Sequence, residues 1–287
     1  MNSSTHGAGG LKILLAIMED TIHEAFTRRL VWAIYGSTAF ILLFLLFVLE
    51  IDIVTGAKAT ISLFGQEAMS TGSDESLATF LREVNGAIAV FLYGVSTFVA
   101  VFVCAGLTPG LFEAGRADLL LARPLSRHWI VLGRYLGNVA MVGLNVVVLI
   151  AGSYLILGWK SGYWNSGFLY AIPLSFFAFC VLMSLVTLVS IWTESAAVAT
   201  IVAFLAMLFS PILAQRDLAI RLLGSEAARG VWTAFYTVTP RIYELGAMIV
   251  GKLRGQPIAS WEPVIATALF GIVCLAGSVA LFARKDY

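Results

Sequence analysis

The sequence predicts an all-α integral membrane protein with six transmembrane helices and an amphipathic helix ahead of them. Three observations predict it. Apolar residues make up 60% of the chain and charged residues only 12%, whereas a soluble domain carries about 25% charged residues. Mean hydropathy is +0.91. Six uncharged stretches, each long enough to cross a hydrocarbon core of about 30 Å, alternate with segments that hold the charge. In lipid such stretches must be helices, because a helix satisfies every backbone N–H and C=O within one segment.

Residues 1–10 form a polar, small-residue tail. Residues 11–30 then read as an amphipathic helix. Leu11, Leu14, Leu15, Met18, Ile22, Phe26 and Leu30 fall on one face, and Lys12, Glu19, Asp20, His23, Glu24 and Arg28 largely on the other. It is expected to lie in the interfacial plane. Glu19, Asp20 and Glu24 make its polar face acidic, which favours docking on a protein surface over attraction to anionic lipid. Arg28 and Arg29 mark the cytoplasmic end of the first span. That span begins at Val31 and is long enough to cross, so a cleavable signal peptide is not expected.

The spans are placed at residues 31–49, 86–107, 135–157, 168–191, 196–214 and 264–283. Lys and Arg set their direction. With both termini inside, the cytoplasmic parts hold Lys12, Arg28, Arg29, Arg116, Arg123, Arg127, Arg134, Arg284 and Lys285. The first two external loops hold only Lys58, Arg82 and Lys160, and the first is acidic. That is the bias expected of a multi-pass protein of the cytoplasmic membrane. The third external loop runs against it with Arg216, Arg221, Arg229, Arg241, Lys252 and Arg254, but long loops cross largely regardless of charge. The fourth and fifth spans are joined by little more than Trp192, Thr193, Glu194 and Ser195. The last external loop, 215–263, is too long and apolar for a plain connector. Ile242, Leu245, Met248, Ile249 and Leu253 are spaced as one face of a helix after Pro240, predicting an external cap or a partly embedded helix. No repeat or linker divides the chain, so residues 1–287 form a single transmembrane domain.

The polar stretch 110–134, between the second and third spans, mixes both charge signs with a leucine run. Good helix formers fill 113–122, with Leu111, Phe112, Leu119 and Ala122 at helical spacing. Pro124 disfavours helix at Arg123, and Ser126 can cap a new helix opening at Arg127. The plain alternative is a cytoplasmic loop whose arginines only set topology.

Other motifs carry less. The run from Gly246 to Leu253 matches a phosphate-binding loop except at its last position. That position needs a Ser or Thr hydroxyl for Mg²⁺, and Leu253 has none. ATPase chemistry is therefore not expected on this chain. His6, His23 and His128 are scattered, and Cys104, Cys180 and Cys274 sit in apolar stretches, so neither a metal site nor a disulfide framework is expected. Asn138 and Asn145 lie two turns apart on the third span, and Thr187 and Ser190 come late in the fourth. Such residues line a pathway or bond neighbouring helices. Gly133 and Gly137 form a small-xxx-small pair suited to close helix packing. The spans hold no intramembrane carboxylate of the kind that ion-coupled transporters use.

The pattern of Glu113, Gly115, Asp118, Leu120, Leu121, Pro124, Leu125, Ser126 and Arg127 resembles the signature of ABC-2 type permeases, the membrane subunits of type V ABC exporters. The six spans, the amphipathic first helix, the large last external loop and the Arg284-Lys285 ending are similar in layout. The resemblance implies that residues 111–123 form a coupling helix seated in a cytosolic ABC ATPase subunit. Leu119 and Leu120 would anchor it. Glu113 and Asp118 would meet basic residues of the partner, and Arg116 and Arg123 acidic ones. Gly115 would allow close approach, Pro124 would fix the angle into the third span, and Ser126 and Arg127 would complete the coupling segment. It further implies no cofactor on this chain, with ATP and Mg²⁺ on the ATPase. A second permease copy or homologue, membrane lipids and no nucleic acid complete the partners. A different reading keeps the ATPase docking but makes the chain a mechanical or assembly factor acting on an external protein through residues 215–263.

Overall fold

The computed structural model describes residues 4–27, 30–54, 58–63, 66–70, 77–105, 127–215, 221 and 225–284. Helix α1 spans Ser4–Thr27 and α2 Leu30–Phe47. Three strands follow: β1 (Leu49–Val54), β2 (Lys58–Leu63) and β3 (Gln66–Ser70). Then come α3 (Leu77–Ala105), α4 (Arg127–Ser161), a 3₁₀ turn (Ser166–Tyr170) and α5 (Ala171–Thr193). The chain continues with α6 (Ala196–Ala214), α7 (Glu226–Val238), α8 (Ile242–Leu253) and α9 (Glu262–Arg284).

Among the described residues, five helices are long and apolar enough to cross a membrane, and six if α1 and α2, at 68° to one another, count as one span. The helical class expected from composition therefore holds. The strands are a correction to a purely helical reading. They form one antiparallel sheet in the order β1-β2-β3, inside the acidic stretch between the first two expected spans. Its register sets Leu49 opposite Leu63, Ile51 opposite Ile61 and Ile53 opposite Ala59. The polar residues between them make a period-two alternation, which is the strand signal. Helix α3 also starts nine residues before the expected span (Leu77 rather than 86).

Helix α5 is the centre of the bundle, packed against α3, α4, α6 and α9. Of its apolar stretch 72% is buried within the protein, against 17% for α6 and 22% for α9. Phe179, Leu182, Met183 and Ile191 of α5 are almost fully enclosed, together with Leu92 of α3, Leu149 and Ile150 of α4, and Phe168 of the 3₁₀ turn. Between apolar helices in lipid no water is expelled, so close side-chain packing holds such a core. The turn from α5 to α6 is as short as expected. Glu194 takes a left-handed conformation (φ 55°), and the Ser195 hydroxyl accepts from the Val198 N–H to cap α6.

The helix expected after Pro240 is α8, and it buries Ile242, Leu245, Ile249 and Leu253, the stripe read from the sequence, with Met248 half-buried. It packs against α3, α6 and the 3₁₀ turn. Its first turn is tied down by polar contacts. The Arg241 N–H donates to Thr267 Oγ1 at 3.1 Å, the Tyr243 N–H to Ser210 Oγ at 2.9 Å, and the Tyr93 hydroxyl to the Ile242 carbonyl at 2.7 Å. Gly246 to Leu253 is thus ordinary helix, not a phosphate-cradling loop after a strand.

Candidate functional site

In sequence, the signature lies between the end of α3 and the start of α4. Residues 106–126, including Glu113, Gly115, Arg116, Asp118, Leu119, Leu120, Arg123, Pro124 and Ser126, lie outside the described residues. Arg127 is the first residue of α4. On one side of the segment α3 ends at Ala105, buried beside Cys104. On the other, Ile130 and Val131 of α4 are buried.

That end of the bundle has its own small core. Ile17 of α1, Ile130 and Val131 of α4, Ile191 of α5 and Phe282 of α9 form a cluster separate from the main core, with Ile13, Trp129 and Val279 against it. Helix α1 reaches α4 so closely because Gly133 and Gly137 lack side chains. A Cβ on Gly133 would stand 2.7 Å from the Ile17 side chain, and one on Gly137 2.8 Å from Thr21 Cβ. Both approaches are far inside van der Waals contact, so the small-xxx-small pair serves packing, as its spacing implied. The Thr21 hydroxyl bonds back to the Ile17 carbonyl at 2.8 Å, so the polar residue in this seam is satisfied within its own helix.

Alongside the glycines, Arg134 Nη2 meets Glu24 Oε2 at 3.3 Å, with both side chains 8% exposed. The sequence had shown these as a topology-setting arginine and one acid of a polar helix face. Their pairing depends on the register between α1 and α4, which no local pattern encodes. The docked face of α1 also differs from the expected stripe. Ile17, Thr21 and Ala25 are buried, while Leu15 (54% exposed) and Phe26 (52%) point away. Helix α1 therefore buries Ile17, Thr21 and Ala25 and turns Leu15 and Phe26 outward, an apolar edge suited to the membrane interface.

The four span residues divide. Asn145 Nδ2–H donates to Thr38 Oγ1 of α2 at 2.8 Å, which is helix packing. The Thr187 hydroxyl bonds the Met183 carbonyl of its own helix at 2.7 Å. Asn138 Oδ1 and Ser190 Oγ are buried without a hydrogen-bond partner among the described residues. Asn145 thus joins α4 to α2, and Asn138 Oδ1 and Ser190 Oγ keep unused hydrogen-bonding capacity among the described residues. The described residues bring no His, Cys, Asp and Glu together as metal ligands.

A bundle of apolar helices around an enclosed central α5, with charge gathered at its ends, is that of a multi-pass membrane protein. Residues 43–287 match the family described as "Protein of unknown function (DUF2705)", and the chain belongs to that family. No curated protein matches it.

Proposed function

We propose that this protein is the permease subunit of an ATP-driven ABC exporter, with the segment 111–123 as the coupling helix for a separate cytosolic ATPase. The observation that carries the reading is the ordered residue pattern from Glu113 to Arg127. Its setting supports it. The segment connects α3 to α4 at the end of the bundle where α1, α4, α5 and α9 converge on one small core. A lever needs such a rigid seat, because a push on a loose end would be absorbed locally. Two copies, or one copy and a homologue, would supply twelve spans, and nucleotide-driven closure of two ATPases would shift them between inward- and outward-facing arrangements. The weakly covered α6 and α9 leave apolar surface for such a second copy. An apolar cavity of about 860 Å³ between α5, α6, α7 and α9, lined by Phe209, Trp232, Phe235 and Phe270, accords with an amphiphilic cargo.

The test is capture of the tagged full-length chain from its own membranes, followed by identification of an ABC ATPase and its ATP turnover. Replacing Glu113, Leu119 and Leu120 together by alanine is expected to release the ATPase and abolish transport while the bundle stays folded. Unchanged assembly and transport in that variant would remove the coupling assignment.

A further inference from the structure

At the end of the bundle opposite α1, a polar cavity of about 300 Å³ opens between the start of α3, the 3₁₀ turn and the end of α8. It holds two cations, Arg82 and Lys252. Neither has a carboxylate within ion-pair distance among the described residues. Among the described residues, Glu83 and Glu244 are engaged elsewhere. Glu83 takes Arg254 in a bidentate pair, with Arg254 Nε and Nη2 donating at 2.9 and 2.7 Å. Glu244, two turns before Lys252, accepts the Tyr236 hydroxyl at 2.8 Å. Arg82 Nε–H is shut off from solvent and meets no acceptor in the described structure. A buried donor of a charged group is normally paired, so an unpaired Nε–H among the described residues marks a place for an acceptor.

The cavity wall is built, not incidental. Asn165 donates from Nδ2 to the Leu253 carbonyl and accepts the Gly167 N–H at Oδ1, both at 2.9 Å, stapling the 3₁₀ turn to the end of α8. The turn sits so close that a Cβ on Gly167 would come within 2.7 Å of the Lys252 carbonyl oxygen. Carbonyls at the end of α8, which would repel an anion, are already bonded. Val250, Gly251 and Lys252 accept the N–H groups of Arg254, Gln256 and Gly255. What remains facing the cavity is positive. Lys252 Nζ is held 5.2 Å over the Tyr170 ring, on the cavity's edge. Trp159 (76% exposed), Trp164 (54%) and Tyr170 (46%) surround this level. Exposed Trp and Tyr gather where the lipid headgroups lie.

We propose that Arg82 and Lys252 bind a phosphate oxyanion, and that its source is the headgroup of an anionic phospholipid in the adjacent leaflet. Arg82 gives the directional donor at Nε, and Lys252 gives a mobile point charge.

The test is native mass spectrometry of the full chain released from detergent. Phosphatidylglycerol, phosphatidylcholine and inorganic phosphate are added separately. The wild type is expected to retain phosphatidylglycerol over phosphatidylcholine, and Arg82→Gln or Lys252→Gln each to weaken retention by about tenfold. Lys160→Gln, a cation at the same end but outside the cavity, should leave retention unchanged. Arg82→Lys keeps the charge but loses Nε, so its loss should fall between wild type and Arg82→Gln, which separates binding from misfolding. Equal retention in the wild type and the Arg82→Gln/Lys252→Gln double variant would overturn the site. Binding of inorganic phosphate as strong as that of phosphatidylglycerol would overturn the lipid source and assign the cavity to soluble phosphate esters.

Discussion

Glu24 and Arg134 show how much one residue pair decides in this fold. Two charges this far from solvent are costly to separate, since removing one takes the ion pair from a charge that stays buried. Glu24→Gln is therefore expected to destabilise the protein by about 3–5 kcal/mol. The joint replacement Glu24→Leu with Arg134→Met should recover most of that loss, because no orphan charge remains. Thermal unfolding in one detergent, with both variants beside the wild type, measures the difference. If Glu24→Gln cost nothing, the pair would not be what holds α1 on α4. Tyr236 gives a second reading at this scale. Burial, and then the hydrogen bond to the Glu244 carboxylate, pushes its phenol up to about 12. The folded protein thus keeps that proton more tightly than the unfolded chain, where a tyrosine titrates near 10. The stabilisation is complete below about pH 10 and disappears as the pH climbs through about 12. Tyr236→Phe cannot ionise, so its stability should fall less across that window than the wild type's, as followed by thermal unfolding.

Among the elements, α8 and α7 explain what a sequence can reveal. Helix α8 follows a proline and buries four residues at helical spacing, so its pattern and its packing agree. Helix α7 is as regular, with Ser225 capping it through the Ala228 N–H, yet Val231, Phe235 and Val238 are all exposed. Its apolar face meets no core in this chain, so apolar spacing there marked no distinct element within the long loop. The sheet was missed for another reason. Each strand is five or six residues long, too short for alternation to stand out beside an adjoining apolar span. The glycine pair on α4 was legible because its meaning is steric and local. The face of α1 that meets it was not, because Ile17, Thr21 and Ala25 are less apolar as a set than the stripe left outside. What anchors α8 is also open to test. Asn165→Ala removes the bond to the Leu253 carbonyl and the cap on the Gly167 N–H, and it should cost about 1–2 kcal/mol. The loss should appear as faster proteolysis or hydrogen exchange near the end of α8, with the α1 end unaffected.

At the scale of the whole molecule, the two ends of α4 define opposite faces. Its 35 residues cover about 50 Å at 1.5 Å per residue, more than the thickness of a hydrocarbon core. One end packs against α1 and follows the segment 106–126 in sequence, and the other meets the 3₁₀ turn, whose cap Asn165 bonds the end of α8. An ATP-driven reading requires the first end to face the cytoplasm, since only there would an ATPase and its nucleotide reach it. The Lys and Arg bias favours that direction, but the cations after the fifth span weaken it, so the side must be measured directly. In a background without Cys104, Cys180 and Cys274, single cysteines at Lys12 and at Arg254 would report one end each. Both positions are exposed and outside the apolar core. A membrane-impermeant maleimide applied to intact cells is expected to label Arg254→Cys at once and Lys12→Cys only after the membrane is opened. The reverse pattern would turn the Glu113–Arg127 signature toward the outside. No cytosolic motor could then grip it, and the exporter proposal would fail whatever the strength of the motif.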